Sequence, residues 1–243
     1  MIEFCLYNNH THFFYELRII IVWVNLTEIK RHCWAVLCYV RFQHPFTCCI
    51  SGPSGSGKSV FVEKLLEHRF ELIAPPVERV IWSLGVAQPA LEKRWTGRGV
   101  AFVEGLPDLD RLCENSLIII DDQMSETDVS ISNLFTKGSH HNRVSVIYIV
   151  QNLFGKNKYM RTISLNSHYL VLFKNPRDSS QSTHLGKQMY PGKLSYFQSA
   201  YKDATSGAHG YLLCDLRQST PDHLRLRTQI FPDDPGQVVY VEK

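Results

Sequence analysis

The chain has 243 residues, 44% hydrophobic and 20% charged, a balance that excludes intrinsic disorder and fits one α/β domain with additions. Its formal net charge of +3 is compatible with nucleic acid but does not require it. The seven cysteines include no C-x-x-C and no His partner at zinc-ligand spacing, which argues against a disulfide framework or structural metal and for a reducing compartment.

Residues 1–40 are crowded with aromatics, His and Cys and contain neither Gly nor Pro. They read as a variable extension, as sequence wrongly joined to the gene, or as one or two strands such as Arg18 to Asn25 added to a sheet edge. Ile19 to Val24 is far shorter than the ~20 apolar residues of a membrane span, and Glu16, Arg18, Glu28, Lys30 and Arg31 flank it. A signal peptide fits poorly, because Glu3 precedes any apolar region and no small-residue cleavage site follows. The expectation is a soluble, intracellular protein with one domain over residues 41–243.

From His44 the pattern becomes regular. Phe46 to Ser51 predicts a strand, and Lys58 to His68 a helix with Val60, Phe61, Leu65 and Leu66 on its apolar face. Further strands are predicted at Val80 to Leu84, Val100 to Glu104, Leu117 to Asp121, Val144 to Val150 and Tyr169 to Phe173. Helix-compatible segments at Leu109 to Glu114, Val129 to Lys137 and Ser180 to Met189 lie between several of them. Short, fully apolar strands alternating with helices predict a mostly parallel sheet covered on both faces. After His209, the runs Gly210 to Leu216, Leu224 to Phe231 and Val238 to Val241 predict a hairpin-like tail.

Gly52-Pro53-Ser54-Gly55-Ser56-Gly57-Lys58-Ser59 matches G-x-x-x-x-G-K-[ST] in full, between an apolar strand and an amphipathic helix. The glycines let successive backbone N–H groups turn toward phosphate oxygens, and the helix that follows aims its N-terminal dipole at the anion. Lys58 then serves the β- and γ-phosphates of ATP and the Ser59 hydroxyl ligates Mg²⁺.

Leu117-Ile118-Ile119-Ile120-Asp121-Asp122 is a strand of aliphatics ending in two acids, and ligands in such sheets bind beyond the carboxyl ends of the strands. Asp121 is assigned to the metal and Asp122 to the attacking water. Asp122 is one methylene shorter than the glutamate common in such ATPases. The strand Val144 to Val150 ends in Gln151-Asn152, where a neutral amide can sense the γ-phosphate or hold the lytic water. Arg143, Arg161 and Arg177 are all loop candidates for the arginine that answers developing charge, and the sequence does not choose among them. His140-His141 suits a polar loop or a phosphate-backbone contact better than a metal site.

Together these stretches resemble the FtsK/HerA-type packaging ATPases of large, poxvirus-like DNA viruses and of the virus-like Maverick/Polinton transposons. The resemblance covers roughly residues 44–200 and rests on four parts. They are His44-Pro45-Phe46-Thr47 running into Gly52 to Ser59; Ile118 to Asp122; Phe135 to His141 with Ser145 to Asn152; and Arg161 to Ser167 followed by Tyr169 to Asp178. It implies a RecA-like (ASCE) fold and a homo-oligomeric ring that drives double-stranded DNA into a preformed capsid. By position it implies ATP-Mg at Lys58 and Ser59, the metal at Asp121, the catalytic acid at Asp122 and the sensor at Gln151. No secure counterpart of the arginine finger is present. Nuclear packaging, or work at a site of particle assembly, would follow.

Two other readings compete. A small-molecule or nucleoside kinase also uses a phosphate loop, with Leu224-Arg225-Leu226-Arg227 as the segment that imitates an arginine-rich lid. A nucleotide-gated assembly protein of a capsid would bind ATP with negligible turnover. Asn157-Lys158-Tyr159-Met160 lacks the acid of the guanine-reading N-K-x-D, and no L-S-G-G-Q-like segment points to a transport ATPase.

Overall fold

The computed structural model describes residues 41–107, 115–121, 128–138, 143–154 and 158–242, with four two-residue strands among the first forty. Of those four, β1 (Ile19–Ile20) pairs antiparallel with β4 (Ala35–Val36), and β2 (Asn25–Leu26) with β3 (Ile29–Lys30). None joins the main sheet, so the described part of Arg18 to Asn25 is not an edge strand of it. The expected helix Leu109 to Glu114 lies outside the described residues.

The apolar runs form one mixed sheet. After β5 (Phe42–Gln43), which pairs in parallel with β7 (Ile73–Ala74), come β6 (Thr47–Ser51), β8 (Arg79–Leu84), β9 (Val100–Glu104) and β10 (Ser116–Asp121). They are followed by β11 (Ser145–Val150), β12 (Tyr169–Phe173), β13 (Tyr211–Asp215), β14 (Leu226–Thr228) and β15 (Val238–Tyr240). The nine-stranded order is β15-β14-β13-β12-β6-β11-β10-β8-β9. From β12 to β9 neighbours run parallel, whereas β13, β14 and β15 continue antiparallel beyond β12. The predicted tail therefore widens the same sheet. This is a RecA-like α/β arrangement, with the strand that enters the glycine-rich loop inside the sheet.

Strands buried on both faces cannot alternate apolar with polar, and the two cores show why. Cys48, Ile50, Leu117, Ile119, Ile147, Ile149, Val171 and Leu213 point into one core. Their neighbours Cys49, Ile118, Ile120, Val146, Tyr148, Leu170 and Leu212 point into the other, as the two-residue period of a strand requires. Cys48, Cys49 and Cys214 are buried free thiols; burial pushes the Cys49 thiol up to about 12 and raises the other two as well. They act as small core residues.

Helix α1 (Lys58–Glu67) covers the first core with Phe61, Val62, Leu65 and Leu66, each stabilising by about 1.5–3 kcal/mol relative to exposure. Val60, expected on that face, is 60% exposed, and Val62 takes the inward place. The short α2 (Arg69–Leu72) follows, and α3 (Pro89–Trp95) adds Leu91 and Trp95 to the same core. The second core is covered by α4 (Asp128–Asn133) and its π-helical continuation Leu134–Gly138, by α5 (Lys158–Leu165), α6 (Ser180–Met189) and α7 (Leu194–Ala204). Among the described residues no helix is long and apolar enough to cross a membrane.

Candidate functional site

The parallel strands bring their carboxyl ends to one edge. Val150 of β11 and Leu172 of β12 both pair with Ser51, the last residue of β6. Asp121 of β10 pairs with Ile149 of β11 and Leu84 of β8. The glycine-rich loop thus leaves the sheet beside the ends of the strands carrying Asp121, Gln151 and Arg177.

Backbone geometry explains the glycines. The Gly52 N–H donates to the Val150 carbonyl at 3.2 Å, and a Cβ on Gly52 would lie 2.7 Å from both Phe173 Cβ and Ser56 Oγ. Gly57 caps α1 with φ at +106°, a left-handed conformation that side chains disfavour. Lys58 turns back into the loop, and its Nζ donates to the carbonyls of Gly52 at 2.6 Å and Pro53 at 2.9 Å. Ser56 Oγ is buried there with no hydrogen-bond partner among the described residues.

His209 braces the loop from outside. Its Nδ1 lies 3.1 Å from the Ser56 carbonyl, and a Cβ on Gly57 would stand 3.1 Å from His209 Cβ. The backbone at His209 is itself left-handed, with φ at +58°. His209 entered the sequence reading only as the start of the tail; nothing local marks it, because it acts 153 residues from Ser56.

Across the sheet edge, the Ser59 hydroxyl stands 3.4 Å from Asp121 Oδ2. Asp121 is 7% exposed and lies two strands from the loop, with β11 between them. Gln151 follows β11 and is exposed, facing solvent beside Gly52. Asn152, also exposed, closes a local turn, its Oδ1 accepting the Phe154 N–H at 2.8 Å. Asp122 and the pair His140-His141 lie outside the described residues.

The ligating groups fit a magnesium nucleotide. An ammonium and the N–H groups at a helix start suit phosphate oxygens, and a hydroxyl beside a carboxylate suits a hard divalent cation.

The three arginines separate by position. Arg143 precedes β11 at the edge opposite the loop, with φ at +49°. Arg161 was expected in a loop but is an exposed residue of α5, because Met160 and Ile163 give that segment a buried helical face. Arg177 follows β12 on the same edge as the glycine-rich loop, in a turn where its N–H donates to Asn175 Oδ1 at 3.1 Å. Beside that turn Gln181 reaches toward both Ser51 and Leu153, a link the sequence reading missed.

No protein-family model matches the sequence, and no curated protein matches it. Among solved structures the chain is similar to the genome packaging NTPase B204 of Sulfolobus turreted icosahedral virus 2 in complex with AMPPCP. There the identity is 14%, the TM-score 0.45, and the match covers 72% of this chain and 95% of that one. It is also similar to a KaiC-like protein of the hyperthermophilic archaeon Pyrococcus horikoshii, at 14% identity and a TM-score of 0.42, over 81% of this chain and 90% of that one.

Proposed function

We propose that the protein binds Mg-ATP through Gly52 to Ser59 and hydrolyses it as a ring-forming motor that moves double-stranded DNA into a viral or virus-like capsid. The observation that carries the nucleotide reading is the 3.4 Å approach of Ser59 Oγ to Asp121 Oδ2 beside a complete phosphate loop. Triphosphate oxygens replace the Gly52 and Pro53 carbonyls as acceptors for Lys58, and the N–H groups at the start of α1 close around them. Ser59 and Asp121 would hold Mg²⁺, which when bound neutralises charge on the phosphates.

In this reading Asp122 takes the proton of the attacking water and Gln151 orients that water or senses the γ-phosphate. Arg177, on the phosphate-loop edge, answers developing charge within the chain. Arg143 is at the far end of β11, about 20 Å along a strand of that length, so it serves only a neighbouring subunit's site. The translocation part rests on the resemblance of the acid pair and the Gln151 strand to packaging ATPases, with capsid protein as a further partner. DNA contacts of such a motor are to phosphates, so binding weakens steeply with salt and depends little on sequence.

The kinase reading loses its lid. Arg225 is tied to Asp222 and to the carbonyls of Asp215 and Arg217, and Arg227 is buried in β14.

Steady-state phosphate release from ATP, with and without long double-stranded DNA, tests the proposal on the native chain, Lys58→Ala and Asp122→Asn. DNA-stimulated turnover lost in both variants is the expected result. Turnover indifferent to DNA overturns the motor and keeps the ATPase. Tight ATP binding with negligible turnover points instead to the nucleotide-gated assembly protein.

A further inference from the structure

Gln181, in the first turn of α6, joins three segments at the carboxyl edge of the sheet. Its side-chain oxygen accepts the Leu153 backbone N–H at 3.1 Å and stands 3.5 Å from the Ser51 hydroxyl. Its side-chain nitrogen donates to Asp178 Oδ2 at 3.1 Å. Ser51 leads directly into the phosphate loop, Leu153 lies two residues beyond Gln151, and Asp178 follows Arg177.

Only a group that both accepts and donates satisfies this arrangement. A carboxylate at position 181 would face Asp178 with like charge, and an apolar side chain would release the Leu153 N–H. The Asp178 end is itself preset: its Oδ1 accepts the Ser180 N–H at 3.0 Å and the Ser180 hydroxyl. Those bonds and the Gln181 amide hold its carboxyl below the usual range, so it is a charged acceptor at neutral pH.

We infer that Gln181 is a positioning residue that locks the Gln151 segment and the Arg177 segment into one register with the start of the phosphate loop. A displacement at the loop then reaches both segments together, through one amide. The inference rests on the nucleotide site proposed above. Gln181 acts through Leu153 and Asp178 and touches no reacting group, so its removal misplaces the sensor segment and leaves the phosphate cradle intact.

The test compares the native chain with Gln181→Ala, Gln181→Glu and the double variant Asp178→Asn/Gln181→Glu, in which the new amide donates to the new carboxylate. Both single variants should lower kcat about tenfold, with KM for ATP within about twofold and an unchanged Tm, as expected for a misplaced catalytic segment. The double variant should recover most of that loss. Hydrogen exchange adds a readout independent of turnover: AMPPCP should protect the Leu153 amide in the native chain and not in Gln181→Ala. The inference is overturned by single variants with native kcat, by a double variant no better than the singles, or by parallel falls in KM performance and Tm. If AMPPCP protects Leu153 equally in both proteins, the lock alone fails. If the native chain binds no AMPPCP, the nucleotide reading fails with it.

Discussion

The Ser59 hydroxyl and the Asp121 carboxylate face each other at 3.4 Å although 62 residues separate them in the chain. The one stands in the first turn of α1 and the other at the carboxyl end of β10. Only β11 separates β10 from β6, the strand that delivers the loop.

This pair predicts a metal-dependent loss. Asp121→Asn keeps the shape and removes the charge that balances a divalent cation. Phosphate release should fall about 10²–10³-fold, the scale of losing one preorganised electrostatic contact, and the Mg²⁺ concentration for half-maximal rate should rise. Titrating Mg²⁺ at fixed ATP checks this. A variant with native rate and native Mg²⁺ dependence would remove Asp121 from the metal site.

Gly57→Ala should weaken nucleotide binding by about one to two orders of magnitude without unfolding the chain. Its φ of +106° is hostile to a side chain, and the new Cβ would sit 3.1 Å from His209. Strain at such a position costs on the order of 1–3 kcal/mol, which the loop can relieve only by changing the directions of its N–H groups. Equilibrium binding of AMPPCP measures the loss, and circular dichroism checks that the fold survives. His209→Gly in the same background removes the opposing Cβ and suits the left-handed backbone there, so it should relieve the contact but not the strain at position 57, and binding should recover only in part.

A structural prediction concerns the opposite edge of the sheet. Asp215 is fully buried and accepts Arg217 Nε at 3.1 Å and Nη2 at 2.8 Å, while the guanidinium lies 5.1 Å from the Tyr169 ring centre. Arg217→Met leaves a buried carboxylate without its partner, a change that typically costs about 3–5 kcal/mol. The double change Asp215→Asn/Arg217→Met removes the uncompensated charge and should recover much of it. Urea unfolding of the three proteins reads both numbers. Equal stability of the single and double variants would show that the pair's charge is not what matters there.

Much of the fold was legible because burial on both faces turns parallel strands into unbroken apolar runs. Tyr169 to Phe173, buried throughout, appears with the predicted bounds; so does the edge strand Val100 to Glu104, which is apolar although it is only partly covered. Helix α7 was missed although Leu194, Phe197, Ala200, Tyr201 and Ala204 carry a helical spacing. Its small alanines gave a weak apolar stripe, and Phe197 and Ala200 become core residues only against the sheet. Helix α5 is shorter still, and its buried face reduces to a few side chains. Val60 misled in the other direction: apolar character alone placed it inward, whereas the helix turns it to solvent and brings Val62 to the core.

By itself the sequence determined what is contiguous: the glycine-rich loop, whose geometry follows from local φ and ψ, and the apolar runs that become the parallel sheet. Tertiary structure alone decided which distant groups meet. It placed Asp121 opposite Ser59, put Arg177 on the phosphate-loop edge and Arg143 at the other end of β11, set His209 against the loop, and put Gln181 between Ser51, Leu153 and Asp178. These contacts depend on strand order and direction, which are set by how two cores close over one sheet, and no short stretch of residues encodes that closure.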